Sequence, residues 1–97
     1  MKYDIIIDSR VLEDFAEAFE YYNKISHSLS TDFNLNFLSA LDKILLHPKN
    51  YLQISTKLRR IALKKYPYMI VYQIKGDIVE VKGLFHQSVN PSRWRKL

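Results

Sequence analysis

The chain has 97 residues, 47% of them hydrophobic, with no cysteine and a formal net charge of +5 at pH 7. This length predicts one domain, spanning residues 1–97, with a single modest core. The lack of cysteine excludes a disulfide framework, a thiolate nucleophile and a zinc–thiolate site. No apolar run approaches the roughly 20 residues of a membrane helix, and MKYDIIIDSR is too short and too acidic for a signal peptide, so we expect a soluble cytoplasmic protein without membrane association.

In chain order, the first half predicts a strand and two helices. The run YDIII, residues 3–7, is rich in β-branched residues, and Ser9 follows it as a helix N-cap. Apolar residues then recur at helical spacing over 10–24, with Glu13, Asp14, Glu17 and Glu20 on the opposite face. After a break over 25–29, a second amphipathic helix runs over 29–47 until Pro48 stops it. The two helices form an antiparallel hairpin.

Beyond Pro48 the hydrophobic period changes to two. Residues 57–63, 68–74 and 78–86 predict three strands, the last two joined by a tight turn at Lys75, Gly76 and Asp77. The element order β-α-α-β-β-β predicts an α+β fold in which a helical hairpin packs on one face of a small antiparallel sheet. The other face of the sheet is then free to bind a partner.

Charge is divided unevenly between the halves. Residues 1–48 carry four basic and eight acidic residues, whereas residues 49–97 carry eleven basic and two acidic residues. The net charges are therefore −4 and +9. This asymmetry indicates that the basic face meets a polyanion or an acidic partner, the alternative being unevenly placed solubilising charge.

Three segments in the second half resemble the RelE/ParE superfamily of toxins from type II toxin–antitoxin systems. They are Arg59 on a strand, LKKYPYMIVY over residues 63–72, and FHQSVNPSRW over residues 85–94. Their order and spacing match the family over nearly the whole chain. The resemblance implies a small sheet backed by a helical hairpin, an acidic antitoxin as partner, and no cofactor.

The family divides into two activities. RelE-like members cut messenger RNA on the ribosome, whereas ParE-like members bind and poison DNA gyrase without cutting RNA. The sequence differs from the nuclease pattern in two respects, since Val89 stands where relatives often carry arginine and no tyrosine follows His86. We expect a ribosome-dependent RNA endonuclease, with gyrase inhibition as the alternative and an inactive antitoxin-binding module as a third possibility.

Candidate catalytic residues are Arg59, Arg60 and His86. Planar guanidinium groups suit phosphate, and alternation places Arg59 on the same side as Ile61, so that one arginine packs and the other is free. His86 ends a strand in the basic half, where the resemblance implies a proton-transfer role; the structural alternative is a histidine bonded to the following S-x-N-P turn. The expected RNA-binding or phosphate-binding residues are Lys57, Lys64, Lys65 and Arg93.

The remaining histidines and aromatic residues have structural interpretations. His27 and His47 are expected at the surface, and no ligand spacing predicts a metal site. Tyr66 and Tyr68, which flank Pro67, are expected to pack, and Trp94 is expected to anchor the C-terminal segment.

Overall fold

The computed structural model describes residues 2–97. The elements in chain order are strand β1 (Asp4–Ile7), helix α1 (Ser9–Ile25), helix α2 (His27–Leu46), a 3-10 turn (Pro48–Asn50), strands β2 (Leu52–Gln53), β3 (Arg59–Ala62), β4 (Tyr68–Lys75) and β5 (Ile78–His86), and the short helix α3 (Ser92–Arg95). The predicted α+β class and helical hairpin are confirmed. No helix in the described part of the chain is long and apolar enough to span a bilayer.

The sheet has the strand order β1-β5-β4-β3-β2 and is mixed rather than wholly antiparallel. The pairs β2–β3, β3–β4 and β4–β5 are antiparallel, whereas β1 runs parallel to β5 with Asp4 opposite Ile78. The prediction that β1 joins an antiparallel sheet was therefore wrong. No hairpin connects β1 to β5, so the direction of β1 is set by the helices that lie between the two strands in the sequence. Where the chain turns from β1 into α1, the Asp8 N–H donates a hydrogen bond to Val81 O.

Helix boundaries follow their caps more closely than the hydrophobic pattern. The α1 N-cap is Asp8, not the predicted Ser9, because the Asp8 carboxylate accepts a hydrogen bond from the Arg10 amide at 2.9 Å. The predicted break over 25–29 shrinks to one residue, Ser26. Its amide donates to Tyr22 O at the end of α1, and its hydroxyl accepts from the Leu29 amide at the start of α2.

The main core lies between the sheet and the two helices. Its largest fully buried side chains include Tyr72, Phe33, Ile44 and Ile70, and the Tyr72 hydroxyl donates to Pro48 O at 2.6 Å. Tyr66 is also buried, as predicted, and its hydroxyl donates to an Asp32 carboxylate oxygen at 2.7 Å. These two bonds tie the sheet to α2 and to the segment that follows it.

The opposite face of the sheet is partly covered, rather than free as predicted. A second apolar cluster there, which we call the outer cluster, is centred on Leu58, Met69 and Val71. Phe85 and the C-terminal residues Val89, Trp94 and Leu97 pack against it. Trp94 therefore anchors the C-terminal segment, as predicted.

A β-bulge in β5 changes which residues face the helices. Val71 pairs with Gly83 but Tyr72 pairs with Val81, so Lys82 is an extra residue in β5. Before the bulge Val79 and Val81 enter the main core; after it Leu84 does, and Phe85 turns to the outer cluster. His86 consequently lies on the helical side of the sheet.

Candidate functional site

The two arginines of β3 point to opposite faces, as alternation predicts. Arg59 lies on the helical side, and its Nη1 donates to the backbone carbonyls of Lys49 at 3.1 Å and Tyr51 at 2.9 Å. Arg60 lies on the outer face, where its guanidinium contacts Met69 Sδ at 3.9 Å. Arg59 is thus tied to the chain after α2, while Arg60 is the less constrained of the pair.

The predicted RNA-binding lysines occupy two further places. Lys64 and Lys65 lie in the β3–β4 connection beside a cleft of about 310 Å³ against α2, and Lys65 Nζ is 3.7 Å from an Asp32 carboxylate oxygen. Lys57 lies before β3, in a cleft of about 250 Å³ shared with Lys49 and Arg59. The lysines therefore form a basic rim along the β2–β3 side of the sheet.

His86 lies at the end of β5 and is held by the turn after it. Its Nδ1 accepts a hydrogen bond from the Ser88 backbone N–H at 3.1 Å, and Ser88 Oγ is 2.7 Å from the same nitrogen. The imidazole also makes an edge contact with the Tyr68 ring, with centroids 5.4 Å apart. The bond to the S-x-N-P turn, named above as the structural alternative, is present, while a catalytic role for His86 stays a prediction. His86 also lines the neighbouring cleft.

This cleft, the His86 cleft, has a volume of about 310 Å³ and lies between α1 and the end of the sheet. Helix α1 contributes Asp14, Glu17 and Tyr21, which share one face because they are three and four residues apart. The facing wall carries Tyr68, His86 and Arg93. Carboxylates, an imidazole, phenols and a guanidinium therefore meet in one place.

Burial and neighbouring charges raise the pKa of two groups in the His86 cleft. Partial burial raises the pKa of Asp14, and the carboxylates of Glu17 and Glu13 raise it further, while Arg93 and Arg10 act in the opposite direction. Burial also raises the pKa of Tyr68, with a smaller contribution from Glu17. Raising the pKa of a carboxyl group brings it closer to neutral pH, where a general base works best.

The structure does not bring Arg59 and Arg60 to His86. Arg60 pairs with Val71, which pairs with Gly83, so His86 lies two strands away and three residues further along, roughly 10 Å in each direction. His86 and Arg60 also point to opposite faces of the sheet. Arg59 shares the face of His86, but it pairs with Tyr72 and hence lies opposite Val81, five residues before His86. Of the predicted site residues, only Arg93 shares the cleft with His86.

Sequence reasoning missed the contribution of α1 to this cleft. The helical pattern predicts Asp14 and Glu17 on the solvent-facing back of α1, and no motif singles out Tyr21. Their spacing showed that they share a face, but nothing in the sequence showed that β5 and the C-terminal segment end opposite that face. In the described part of the chain, no group of three or more His, Asp or Glu residues has the arrangement of a metal site.

Comparison with solved structures identifies the class of fold. The structure is similar to a chain of the chromosomal ParDE toxin–antitoxin system from P. aeruginosa, with a TM-score of 0.76 and 8% identity over 88% of this chain and 96% of that one. It is also similar to an E. coli RelE toxin mutant in the free state, with a TM-score of 0.63 and 19% identity over 96% of this chain and 92% of that one. No protein-family model and no curated protein matches the sequence.

A third similar structure is the same RelE mutant in complex with a peptide of the antitoxin RelBc, with a TM-score of 0.59 and 19% identity over 100% of this chain and 96% of that one. The chain therefore has the fold of the RelE/ParE toxins. The resemblance noted from the sequence is confirmed at the level of fold.

Proposed function

We propose that this protein is the toxin of a type II toxin–antitoxin pair and that it cleaves RNA in the His86 cleft. The fold shared with ParDE and RelE structures supports the first part. The observation that carries the second part is the meeting of Asp14, Glu17, His86 and Arg93 around one cavity.

RNA cleavage by attack of the ribose 2′-hydroxyl needs a base, a cation for the developing charge and a proton for the leaving oxygen. In this proposal a carboxylate of Asp14 or Glu17 accepts the 2′-hydroxyl proton, the 2′-oxygen attacks phosphorus to form a 2′,3′-cyclic phosphate, and the departing 5′-oxygen takes a proton from water. Arg93 donates hydrogen bonds to the scissile phosphate. The rings of Tyr21 and Tyr68 offer stacking surfaces for an unpaired base. Catalytic roles for Arg59 and Arg60 stay predictions, which the distance from His86 does not favour.

The basic rim suits a nucleic-acid backbone outside the cleft. Lys57, Lys64 and Lys65 neutralise phosphates without reading sequence, and the +9 charge of residues 49–97 strengthens this attraction. Messenger RNA on the ribosome is the substrate that the resemblance implies. The same charge suits an acidic antitoxin, whose binding we expect to weaken as salt rises.

Gyrase inhibition is the second candidate function. The ParDE chain superposes with a TM-score of 0.76, against 0.63 for free RelE. A gyrase inhibitor needs no catalytic groups around a shared cleft. If this function is correct, toxicity does not depend on His86.

The test uses the purified, antitoxin-free protein in two assays: primer extension on messenger RNA in a translation extract, and DNA supercoiling by gyrase. We expect cut RNA with the wild-type protein and a loss of about a hundredfold or more when Asp14→Asn and Glu17→Gln are combined. Glu20→Gln is the matched control, since Glu20 lies on α1 but does not line the cleft.

Inhibited supercoiling without cut RNA refutes the nuclease proposal in favour of gyrase. Activity in neither assay, from a protein that still binds the antitoxin, refutes both and indicates an inactive binding module. If the variant with both Asp14→Asn and Glu17→Gln cuts RNA as fast as the wild-type protein, cleavage does not take place in the His86 cleft.

A further inference from the structure

The two nitrogens of the His86 ring have different surroundings. Nδ1 faces the Ser88 amide at 3.1 Å and the Ser88 hydroxyl at 2.7 Å. A backbone N–H can only donate, so Nδ1 must carry a lone pair for this bond to exist. In the neutral imidazole the proton then sits on Nε2.

His86 is exposed and lines the cleft beside Tyr68. The Tyr68 ring makes an edge contact with the imidazole at an interplanar angle of 71°. Among residues 2–97, no hydrogen bond of the structure engages Nε2. His86 shares this cavity with Asp14, Glu17 and Arg93, so Nε2 is the ring nitrogen left to bond a molecule there.

We infer that Ser88 is a positioning residue, which holds His86 as the neutral Nε2–H tautomer, so that His86 donates a hydrogen bond to an oxygen of the molecule in the cleft instead of removing a proton from it. The identity of that molecule, RNA, rests on the proposed function; the tautomer does not. Among the cleft groups, the proton acceptors are then the carboxylates of Asp14 and Glu17.

This assignment reverses the role expected for His86 from the sequence. A histidine base needs a lone pair on the nitrogen that faces the substrate, and here that nitrogen carries the proton. A histidine acid must first become imidazolium, and its new Nδ1–H would then lie against the Ser88 amide. Ser88 thus disfavours both proton-transfer roles and favours stabilisation of charge on an oxygen.

Nitrogen NMR on protein labelled with ¹⁵N-histidine tests the tautomer without any activity. At mildly alkaline pH we expect the proton of His86 on Nε2 and a hydrogen-bonded Nδ1. His27 and His47 serve as references because all three histidines are exposed, while within residues 2–97 only the His86 ring has side-chain hydrogen bonds. Ser88→Ala removes the hydroxyl donor and shifts the Nδ1 resonance toward that of an unbonded nitrogen, and Ser88→Thr restores it. A wild-type proton on Nδ1 overturns the inference.

Two substitutions at His86 test the consequence in the primer-extension assay. The side-chain amide of His86→Gln can still donate a hydrogen bond but cannot transfer a proton, whereas His86→Ala does neither. We expect His86→Ala to slow cleavage by about a hundredfold and His86→Gln to stay within about tenfold of wild type. Equal hundredfold losses in both variants overturn the hydrogen-bond role. If wild-type protein cuts no RNA, the proposed function fails while the NMR result still decides the tautomer.

Discussion

Arg59 separates a structural from a catalytic interpretation of the basic strand β3. Its guanidinium holds the carbonyls of Lys49 and Tyr51, which fixes the segment between α2 and β2. Hydrogen bonds from a charged group are worth about 1.5–3 kcal/mol each when well shielded. One of these bonds is exposed and the other is partly buried, so we expect the pair to contribute about 1–3 kcal/mol in total.

Replacing Arg59 by alanine should therefore lower Tm by about 5–15 °C, since 1 kcal/mol shifts Tm by roughly 4–8 °C in a domain of this size. Differential scanning calorimetry measures the shift. Arg59→Lys should recover only part of the loss, because one ammonium group does not reproduce the planar donors of arginine. Arg60→Ala is the matched control, with an expected cost below about 1 kcal/mol, since the Arg60 guanidinium contacts only a weak sulfur acceptor.

The opposite pattern refutes this reasoning. If Arg59→Ala keeps its Tm within about 1 °C of wild type while toxicity disappears, Arg59 contacts RNA or a target protein and its backbone bonds are incidental. A large fall in Tm for Arg60→Ala would likewise show that the outer face depends on Arg60.

Two further perturbations test the packing of the sheet. Gly83→Ala should lower the free energy of unfolding, measured by urea denaturation, by about 1–3 kcal/mol. A Cβ at this position would lie 2.8 Å from Phe85 Cζ and push the Phe85 ring off the outer cluster. An unchanged urea midpoint would contradict that packing. Alkaline unfolding should follow Tyr66 and Tyr72, since burial raises the pKa of each to about 12 from an unfolded value near 10. Because the folded pKa values are raised, both tyrosines contribute stability that is complete below pH 10 and is lost as the pH rises toward 12. In Tyr66→Phe and Tyr72→Phe the free energy of unfolding should therefore fall less steeply over this pH range. Wild-type and variant proteins with the same pH dependence would contradict this expectation.

The hydrophobic period predicted the long elements because their burial follows simple geometry. Helices α1 and α2 and strand β4 each keep one periodicity over eight or more residues, and their predicted bounds differ from the structure by at most two residues. Strand β5 has the predicted bounds, although its alternation shifts at the bulge. Strand β2 has two residues, which is too short for any pattern to register. The direction of β1 was not predictable because it depends on where the helices return the chain.

The candidate site was predicted less well because two local features changed where side chains point. Lys82 at the bulge reverses the alternation of β5, so that His86 faces the helices; Gly83 beside it was the available signal, since glycine within a strand often marks a bulge. Arg59 matched a motif position, but its bonds to Lys49 and Tyr51 come from a segment without regular pattern. The basic residues that are close together in the sequence therefore lie in three separate places in the fold: the cleft beside Lys57 and Arg59, the outer face at Arg60, and the cleft beside Lys64 and Lys65.

Ser26 serves both helices at once, since it ends α1 through its amide and begins α2 through its hydroxyl. Because a single residue separates the helices, their adjoining ends cannot move apart. Fraying of either helix displaces Ser26 and so breaks the hydrogen bond that Ser26 makes to the other helix. We therefore infer that the hairpin opens as one cooperative unit, with α1 and α2 exchanging their amide hydrogens at a common rate around this link. The α1 wall of the His86 cleft then holds its position for as long as the whole hairpin stays closed.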